Sequence, residues 1–379
     1  MEQSARSANV MIGWTQKSRE MKQPVSVDDR DTAPQPLERA SALPAYFYAG
    51  DESFERDRRA IFAHGWQLFA RADQLARSGD HVVGDIAGVP LLLVRGDDGA
   101  LRALHNVCRH RAGPLATCDG RGAKRLRCHY HGWSYALDGR LLSATEMDGA
   151  CDFDIASIRL PEAHVADWRG LVFAALDPLV PFAEVMAEVD ARLGERPLDA
   201  YAFHRHYDYD IACDWKAYID NYLEGYHVPH IHPELNRMLD YRDYVVETAR
   251  WHSLQHSPLA SDAALYGDGE ALYWFVWPNT LLNVLPDRMQ TNRVIPLAPG
   301  RCRVTFDYFY PQGVPDLDSR HASDHAFSNL VQRQDIDMCE IVQRGLESGS
   351  YHAGRLNPKR ENGVHHFHEL LREAYRAAH

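Results

Sequence analysis

Short stretches of alternating hydrophobic and polar residues fill the chain between residues 50 and 110. The segment FERDRRAIFAHGWQLF, residues 54–69, carries hydrophobic residues at helical spacing. Two segments follow it, HVVGDIAGVPLLLVRG at residues 81–96 and LRALHNV at residues 101–107, in which short alternating runs are separated by Gly and Asp. The pattern predicts a helix followed by a small antiparallel β domain.

Longer and more mixed segments begin after about residue 165. Strand-like patterns occur in RGLVFAAL at residues 169–176, in ALYWFVWPNTLLNVLP at 271–286 and in RCRVTFDYFY at 301–310. A helix is predicted from Asp214 and a long one from about Ser323. The whole pattern predicts an α+β fold.

The chain is predicted to divide into a tail and two domains. Residues 1–42 are polar, hold Pro34 and Pro36 and lack sustained periodicity, so we expect a tail or an arm that wraps a neighbour. A length of 379 residues suits two domains. We place them at residues 43–165 and 166–379.

Composition and charge limit the partners. A net charge of -12 and an isoelectric point near 5.9 argue against nucleic acid or an anionic membrane surface. The chain has no run of about 18 apolar residues, and its polar start does not resemble a signal peptide, so we expect a cytoplasmic protein. Seven scattered cysteines indicate thiols or metal ligands rather than a disulfide framework.

The fragment CRHRAGPLATCDGRGAKRLRCHYHGW, residues 108–133, concentrates cysteine and histidine. Cys108 and His110 are two residues apart, and Cys128 and His131 are three apart, so each pair can sit at the tip of a hairpin. Two thiolates and two imidazoles also suit structural zinc. C-x-H with C-x-x-H favours a Rieske [2Fe-2S] cluster, in which two cysteines hold one iron and two histidines the other.

The remaining residues of the fragment have other predicted roles. Cys118 lies between the two pairs, and His129 would point away if its neighbours point towards a cluster. We therefore expect neither to bind metal. Turn and packing residues that could hold the two tips in place are also present, namely Gly113, Pro114, Gly132 and Trp133.

A second candidate metal site lies in DWKAYIDNYLEGYHVPHIHPEL, residues 214–235. A helix continued through this segment has a polar face within about 60° of arc, formed by Lys216, Asp220, Glu224 and His227. The opposite face is aromatic and is expected to point away from the metal, with Trp215, Tyr218, Tyr222 and Tyr226.

The histidines of this segment suggest a metal pair. Pro229 ends the helix soon, so His232 is free to turn back towards His227, and the two supply imidazoles to one metal. His230 is the competing candidate, because H-x-x-H on a helix also brings two imidazoles to one face. A surface position for His230 is the favoured interpretation.

Two acidic residues of the long C-terminal helix compete for the third ligand. Asp335 shares a stripe with Val331, Met338 and Val342 and thus interrupts a core face, where a carboxylate is costly without a compensating charge. Asp337 lies about 160° away and is predicted to be a solvated surface charge. Asp335 would complete a 2-His-1-carboxylate set for Fe(II), and a structural ion pair is the alternative.

CRHR…CHYHGW followed by YALDGRL resembles the Rieske domain of ring-hydroxylating and demethylating oxygenases, and the resemblance runs from about residue 43 to the end of the chain. It implies a helix-grip-like catalytic domain after a Rieske domain. It also implies a mononuclear iron held by His227, His232 and Asp335. The family usually has Pro where this chain has His129, and often Gly in place of Ala112.

The resemblance also assigns supporting roles. Glu224 would be the carboxylate that bridges to the cluster of the next subunit, through His131 of the partner subunit. Asp220 and Asn221 match the family's Glu-Asn pair and would support the helix or the electron path. Gln334 replaces a Glu that usually precedes the third ligand.

Partners follow from the same resemblance. The sequence has no flavin or dinucleotide motif, so a separate reductase would supply the electrons, and O2 would be the oxidant. A head-to-tail homotrimer is the expected assembly, because the cluster of one subunit must face the iron of the next.

The substrate is predicted from a narrower resemblance. GRLNPKRENGVHHFHELL at residues 354–371 and PNTLLNVLPDRMQTNRVIPL at 278–297 resemble the choline, glycine betaine and carnitine oxygenase branch. This implies a monooxygenase, rather than a dioxygenase, that hydroxylates or N-demethylates a small quaternary ammonium or N-methylated compound. Tyr273, Phe275 and Trp277 share one strand face and could form an aromatic cage, although plain sheet core is an equally good interpretation.

Two alternatives stay open at this point. An oxygenase of aromatic acids would have an uncharged aromatic pocket. An electron-transfer protein without catalysis would lack the mononuclear iron, against which the set of Glu224, His227, His232 and Asp335 argues.

Overall fold

The computed structural model describes residues 28–239, 241–258, 270–312 and 317–378, with the side chains of all of these except 317–320. The first 27 residues of the predicted tail lie outside this range. Among the described residues, every strand pairing is antiparallel, in three sheets that alternate with helices. The predicted α+β fold is confirmed.

The first sheet has six strands in the order β1-β9-β8-β4-β3-β2. These strands are β1 (Gln67–Arg71), β2 (His81–Ile86), β3 (Val89–Arg95), β4 (Leu101–His105), β8 (Glu162–Trp168) and β9 (Leu171–Ala175). The alternating segment at 81–96 forms the β2-β3 hairpin, whose turn at Ala87 and Gly88 has φ values of 51° and 77°. Such left-handed backbone suits a two-residue hairpin turn.

A small sheet of three short strands extends from the first domain. Its members are β5 (Leu126–Arg127), β6 (Ser134–Tyr135) and β7 (Leu141–Ser143), in sequential order. Its core is shared with β3 and β4, since Leu92, Val94 and Leu104 pack in one cluster with Tyr135. The first cysteine-histidine pair lies in the loop between β4 and β5, and the second lies in the loop between β5 and β6.

The largest sheet has seven strands in the order β10-β16-β15-β14-β13-β12-β11. Its strands are β10 (Tyr201–Ile211), β11 (Val245–Thr248), β12 (His252–Pro258), β13 (Glu270–Val276), β14 (Thr280–Leu285), β15 (Arg288–Ala298) and β16 (Arg301–Pro311). Consecutive strands from β11 to β16 are neighbours. Only β10 joins out of order, beside β16.

Eight α-helices accompany the sheets within the described residues. They are α1 (Asp29–Thr32), α2 (Gly50–Asp57), α3 (Phe182–Leu193), α4 (Trp215–Tyr222), α5 (Val228–Ile231), α6 (Pro233–Met238), α7 (Leu317–Glu347) and α8 (Asn362–Ala377). Helix α2 continues as a π-helical turn over Arg58–Phe62, so the helical pattern at 54–69 is helix only in its first part and enters β1 at Gln67. Helix α7 begins six residues before the predicted Ser323.

A common core ties the amino-terminal segment to the second domain. Leu43, Phe47 and Phe62 pack in one buried cluster with Trp215 of α4 and Phe367 of α8. The domain boundaries at residues 42 and 165 stay predictions. The packing shows that residues 43–62 contact the large sheet's helices as well as leading into β1.

Candidate active site and cluster site

The two cysteine-histidine loops have the same backbone architecture. The Cys108 amide donates to the Gly113 carbonyl at 2.9 Å, and the Cys128 amide donates to the Trp133 carbonyl at 2.8 Å. In both loops the residue four after the cysteine, Ala112 or Gly132, donates back to the cysteine carbonyl and has positive φ, 55° or 75°. Gly at position 112 would suit this backbone better than Ala.

The four predicted cluster ligands meet at the tips of these loops. Both cysteines are buried, whereas His110 and His131 are exposed, with ring centroids 4.6 Å apart. The His110 ring also stacks on Trp133 at 4.8 Å. Two buried sulfurs with two exposed imidazoles fit a [2Fe-2S] cluster whose histidine side faces an electron-transfer partner.

Tyr135 supports the cysteine side. Its hydroxyl lies 3.2 Å from Cys108 Sγ and accepts the Arg109 amide at 3.0 Å. Cys118 and His129, predicted not to bind metal, are both exposed, and the His129 amide donates to the Pro114 carbonyl at 3.2 Å.

The second site is built just after α4 rather than on one face of it. The helix ends at Tyr222, so Glu224 and His227 follow in a turn and do not continue the predicted helical face. Lys216, expected on that polar face, is fully buried and pairs with Asp57 and Asp214. The prediction that Lys216 shares one polar face with the metal ligands was therefore wrong. Its side chain is buried in the core instead, because two carboxylates there pair with its ammonium group.

The expected ligands nevertheless converge. One ligand atom from each of His227, His232 and Asp335 lies within 4.8 Å of the others. His232 Nε2 is 2.9 Å from Asp335 Oδ1, and His227 Nε2 is 3.8 Å from the same oxygen. This donor set, two imidazoles and one carboxylate, fits Fe(II).

Hydrogen bonds orient each member of the set. His227 Nδ1 lies 2.6 Å from Glu224 Oε1, and His232 Nδ1 lies 2.7 Å from Gln334 Oε1. The Asn221 amide donates to Asp335 Oδ1 at 2.7 Å. Such outer contacts fix the tautomer and direction of metal ligands. The role of Gln334 was missed because the sequence gives no sign of which ring nitrogen it would meet.

Asp220 has a different position from Asn221. It accepts hydrogen bonds from the Tyr48 hydroxyl at 2.6 Å and lies 2.9 Å from Nε2 of the buried His368. The amino-terminal segment and α8 are thus joined to α4 at this residue.

The rejected candidates lie elsewhere. His230 and Asp337 are exposed. The stripe that singled out Asp335 is imperfect, since Val331 is partly buried but Val342 is 45% exposed. Tyr226, expected on the aromatic face that points away from the metal, is likewise 45% exposed.

A pocket opens from the three donors between the large sheet and α7. Its aromatic lining comprises Tyr218, Tyr222, Tyr244, Tyr273, Phe306 and Phe327. Tyr218 and Tyr222 had been expected to point away from the metal. That expectation was wrong because it extended α4 beyond Tyr222, which reverses the faces relative to the ligands that follow.

Only one residue of the predicted cage lines this pocket. Tyr273 does so, whereas Phe275 and Trp277 pack against Phe367 of α8, at centroid distances of 5.3 Å and 6.1 Å. The sheet-core interpretation holds for these two residues. Along this one strand face, Tyr273 therefore lines the pocket, while Phe275 and Trp277 belong to the hydrophobic core.

Comparison with known protein families gives the class of protein. The Rieske [2Fe-2S] domain family matches residues 65–159, and the ring hydroxylating alpha subunit (catalytic domain) family matches residues 198–377. The chain belongs to the Rieske oxygenase alpha subunits. Its Rieske domain binds a [2Fe-2S] cluster, and its catalytic domain binds mononuclear iron.

The relatives narrow the class further. The chain is 37% identical over 358 residues to the chloroplastic choline monooxygenase of Arabidopsis thaliana, covering 89% of this chain and 83% of that one. It is 28% identical over 372 residues to the carnitine monooxygenase oxygenase subunit of Escherichia coli K12, covering 89% and 94%.

Solved structures agree. The quaternary ammonium Rieske monooxygenase CntA in complex with L-carnitine has a TM-score of 0.80 at 25% identity and covers 90% of this chain and 99% of that one. Naphthalene 1,2-dioxygenase from Rhodococcus, with a TM-score of 0.74 at 17% identity over 89% and 94%, shares the fold. The chain is an oxygenase, and the choline and carnitine enzymes to which it is similar are named as monooxygenases. Among the described residues, no helix has the length and apolarity to cross a membrane.

Proposed function

We propose that this protein is the terminal oxygenase of a Rieske system that hydroxylates or N-demethylates a small quaternary ammonium compound. The main support is that His227, His232 and Asp335 lie together at the inner wall of a pocket lined by tyrosine rings. The choline and carnitine monooxygenases among the relatives support this substrate class over an aromatic acid.

Each metal then has assigned residues. Cys108, His110, Cys128 and His131 hold the cluster, and His227, His232 and Asp335 hold the Fe(II). When bound, the cluster supplies single electrons and the iron supplies open positions for O2 chemistry. The chain's own contribution is to orient these ligands through Tyr135, Glu224, Asn221 and Gln334.

The tyrosines of the pocket suit a cation. The Tyr222 hydroxyl donates to Asn283 Oδ1 at 2.7 Å, and the Tyr244 hydroxyl donates to Gln255 Oε1 at 2.8 Å. These bonds hold both rings in place at the wall. Fixed aromatic faces attract a quaternary ammonium group.

Electrons reach the site from outside the chain. We assign Glu224 as the bridge to His131 of the partner subunit in a head-to-tail homotrimer, with a separate reductase as the donor and the cytoplasm as the location. Supporting this, His131 is exposed, while Glu224 contacts His227. The charge of -12 argues against nucleic acid as a partner.

A single turnover tests the proposed function. Chemically reduced, iron-loaded protein is mixed with O2 and a pool of quaternary ammonium compounds and aromatic acids, and the products are analysed by mass spectrometry. Aldehyde release or one added oxygen on an ammonium compound is expected. Oxygenation of an aromatic acid alone would overturn the proposal while leaving the metal assignments in place.

A further inference from the structure

A buried glutamine on α7 lines the pocket and has an unpaired hydrogen-bonding group. Gln332 is only 2% exposed. Its Oε1 accepts a hydrogen bond from the hydroxyl of Tyr218, on α4, at 2.7 Å. Its Nε2 is also buried and has no hydrogen-bond partner among the described residues. The side chain is therefore held by one end of its amide, while the other end can still donate two hydrogen bonds.

Two other amides that line the pocket are already engaged. Asn221 Nδ2 donates to Asp335 Oδ1 at 2.7 Å, and Gln255 Nε2 donates to the Tyr222 carbonyl at 2.6 Å. These bonds hold a proposed metal ligand and a wall of the pocket. A buried donor without an acceptor costs free energy of folding, so the amide of Gln332 is suited to a bound group that supplies the missing acceptor.

The glutamine lies close to the proposed iron site. Gln332 is three residues before Asp335 on the same helix, about 4.5 Å along the helix axis. Residues three apart lie on the same side of a helix, and both of these line the pocket. A compound bound beside the three metal donors is therefore within reach of the Gln332 amide.

The ammonium group of a substrate cannot be the missing acceptor. A quaternary nitrogen has no lone pair and carries a positive charge, so it accepts no hydrogen bond from an amide. The rings of Tyr222 and Tyr244 supply the aromatic faces that attract such a group. The acceptor must therefore be a second group of the same compound, and an oxygen atom suits this role.

We propose that Gln332 is a specificity-determining residue that donates a hydrogen bond from Nε2 to an oxygen atom of the substrate. It thereby selects quaternary ammonium compounds that carry an alcohol or another oxygen acceptor over compounds with a plain alkyl chain. This inference rests on the proposed function and refines its substrate class. A site built to hydrogen-bond a polar group rejects the analogue that lacks it, because the buried partner is then left without a bond.

Matched ligands test the wild-type preference. Choline and propyltrimethylammonium differ only by a hydroxyl in place of a methyl group, and (3-hydroxypropyl)trimethylammonium and butyltrimethylammonium form a pair that is one methylene longer. Binding is measured by calorimetry on anaerobic, iron-loaded protein. We expect the alcohol of at least one pair to bind at least about 10-fold more tightly, the scale of one buried hydrogen bond.

Gln332→Leu should abolish this preference. Leucine fills a similar volume but donates no hydrogen bond, so only the alcohol should lose affinity, which brings the two compounds within about 2-fold of each other. The double variant Tyr218→Phe with Gln332→Leu removes both partners of the buried hydrogen bond and should lose the preference without leaving the tyrosine hydroxyl unpaired. Metal content and the visible Rieske spectrum check that both variants keep both metals.

Gln343→Leu is the matched control. Gln343 is another glutamine of α7 and is 3% exposed, but it lies outside the pocket lining. Both ends of its amide bond to the protein, since Oε1 accepts the Asp214 amide at 2.9 Å and Nε2 donates to the Tyr48 carbonyl at 3.0 Å. The same substitution there should lower stability and leave the preference for the alcohol unchanged.

The outcomes separate this inference from the proposed function. A wild-type preference below about 10-fold in both pairs, or a Gln332→Leu variant that keeps the wild-type ratio, overturns the role of Gln332 while the ammonium substrate class stands. Failure of all four ammonium compounds to bind overturns the proposed function, and this inference with it. If Gln332→Leu does not fold, as judged by its Rieske spectrum, the wild-type pairs and the double variant decide.

Discussion

Glu224 and His227 form a link of two side chains behind the proposed iron site. Glu224 Oε1 lies 2.6 Å from Nδ1 of His227, and Nε2 of the same ring lies 3.8 Å from Asp335 Oδ1. Glu224 also accepts the His227 amide at 3.1 Å, which fixes the carboxylate against the ligand that it supports. The imidazole therefore connects a carboxylate outside the site to the donor set inside it.

Glu224→Gln should separate electron delivery from metal binding. The amide oxygen can still accept from His227, so both metals should be retained, but the lost charge should slow turnover about 10- to 100-fold. The measurement is cluster reoxidation by O2 in a stopped-flow experiment, alongside metal content. Unchanged reoxidation would remove Glu224 from the electron path.

Asp335→Ala should remove the mononuclear iron alone. The substitution removes one of the three donors and leaves the four proposed cluster ligands unchanged. We expect the visible Rieske spectrum to persist while iron content falls and turnover stops. Asp337→Ala, two residues away and exposed, is the control and should behave like the wild type. O2 consumption in step with product by Asp335→Ala would show that another residue is the ligand.

Six of the seven proposed metal ligands could be predicted from the sequence because they come in closely spaced pairs. Cys108 with His110, Cys128 with His131, and His227 with His232 lie within five residues of each other, where chain geometry leaves little freedom. Asp335 needed the longer argument of a carboxylate on a buried stripe. The stripe was imperfect, but the cost of placing a carboxylate among hydrophobic residues was the reason to prefer Asp335 over Asp337.

The pocket could not be predicted in the same way. Because α4 ends at Tyr222, Glu224 and His227 leave the helix, so the helical positions of these two residues do not predict on which side of the iron Tyr218 and Tyr222 lie. Phe275 and Trp277 share a strand face with Tyr273, but α8 covers them.

Tyr135→Phe should lower the reduction potential of the cluster. The hydroxyl 3.2 Å from Cys108 Sγ can donate to a cluster-bound thiolate, and hydrogen bonds to the sulfurs raise the potential of such clusters. Redox titration followed by visible or EPR spectroscopy should show a negative shift of tens of millivolts. Tyr130→Phe, on an exposed ring beside His131, serves as the control. Equal potentials in Tyr135→Phe and the wild type would mean that the hydroxyl donates elsewhere.

The buried cluster of Asp57, Asp214 and Lys216 should give stability a distinct pH dependence. Burial raises the pKa of Asp214 from 3.8 to about 7, although Lys216 Nζ, 2.9 Å from its Oδ1, opposes the shift. The native state therefore holds a proton that the unfolded state has lost between about pH 4 and pH 7. The free energy of unfolding from this group falls as pH rises through that window.

Asp214→Asn tests this sign. Asparagine can still cap α4, where Asp214 accepts the Lys216 amide at 3.0 Å, but it does not titrate. The variant should lose a slope of up to about 1.4 kcal/mol per pH unit, read from the apparent Tm across the window. A variant whose pH profile parallels that of the wild type would show that Asp214 stays ionised throughout.

Helix α7 carries the proposed iron ligand Asp335 and, one and two turns earlier, Val331 and Phe327, which also line the pocket. The iron ligand and the side chains that shape the pocket are therefore separated by whole turns of one helix, about 5.4 Å for each turn. Substitutions at Phe327 and Val331 could therefore adapt the pocket to a longer or shorter compound without disturbing the metal ligand. The helix thus fixes how far each of these side chains lies from the metal, while the side chains themselves are open to mutation.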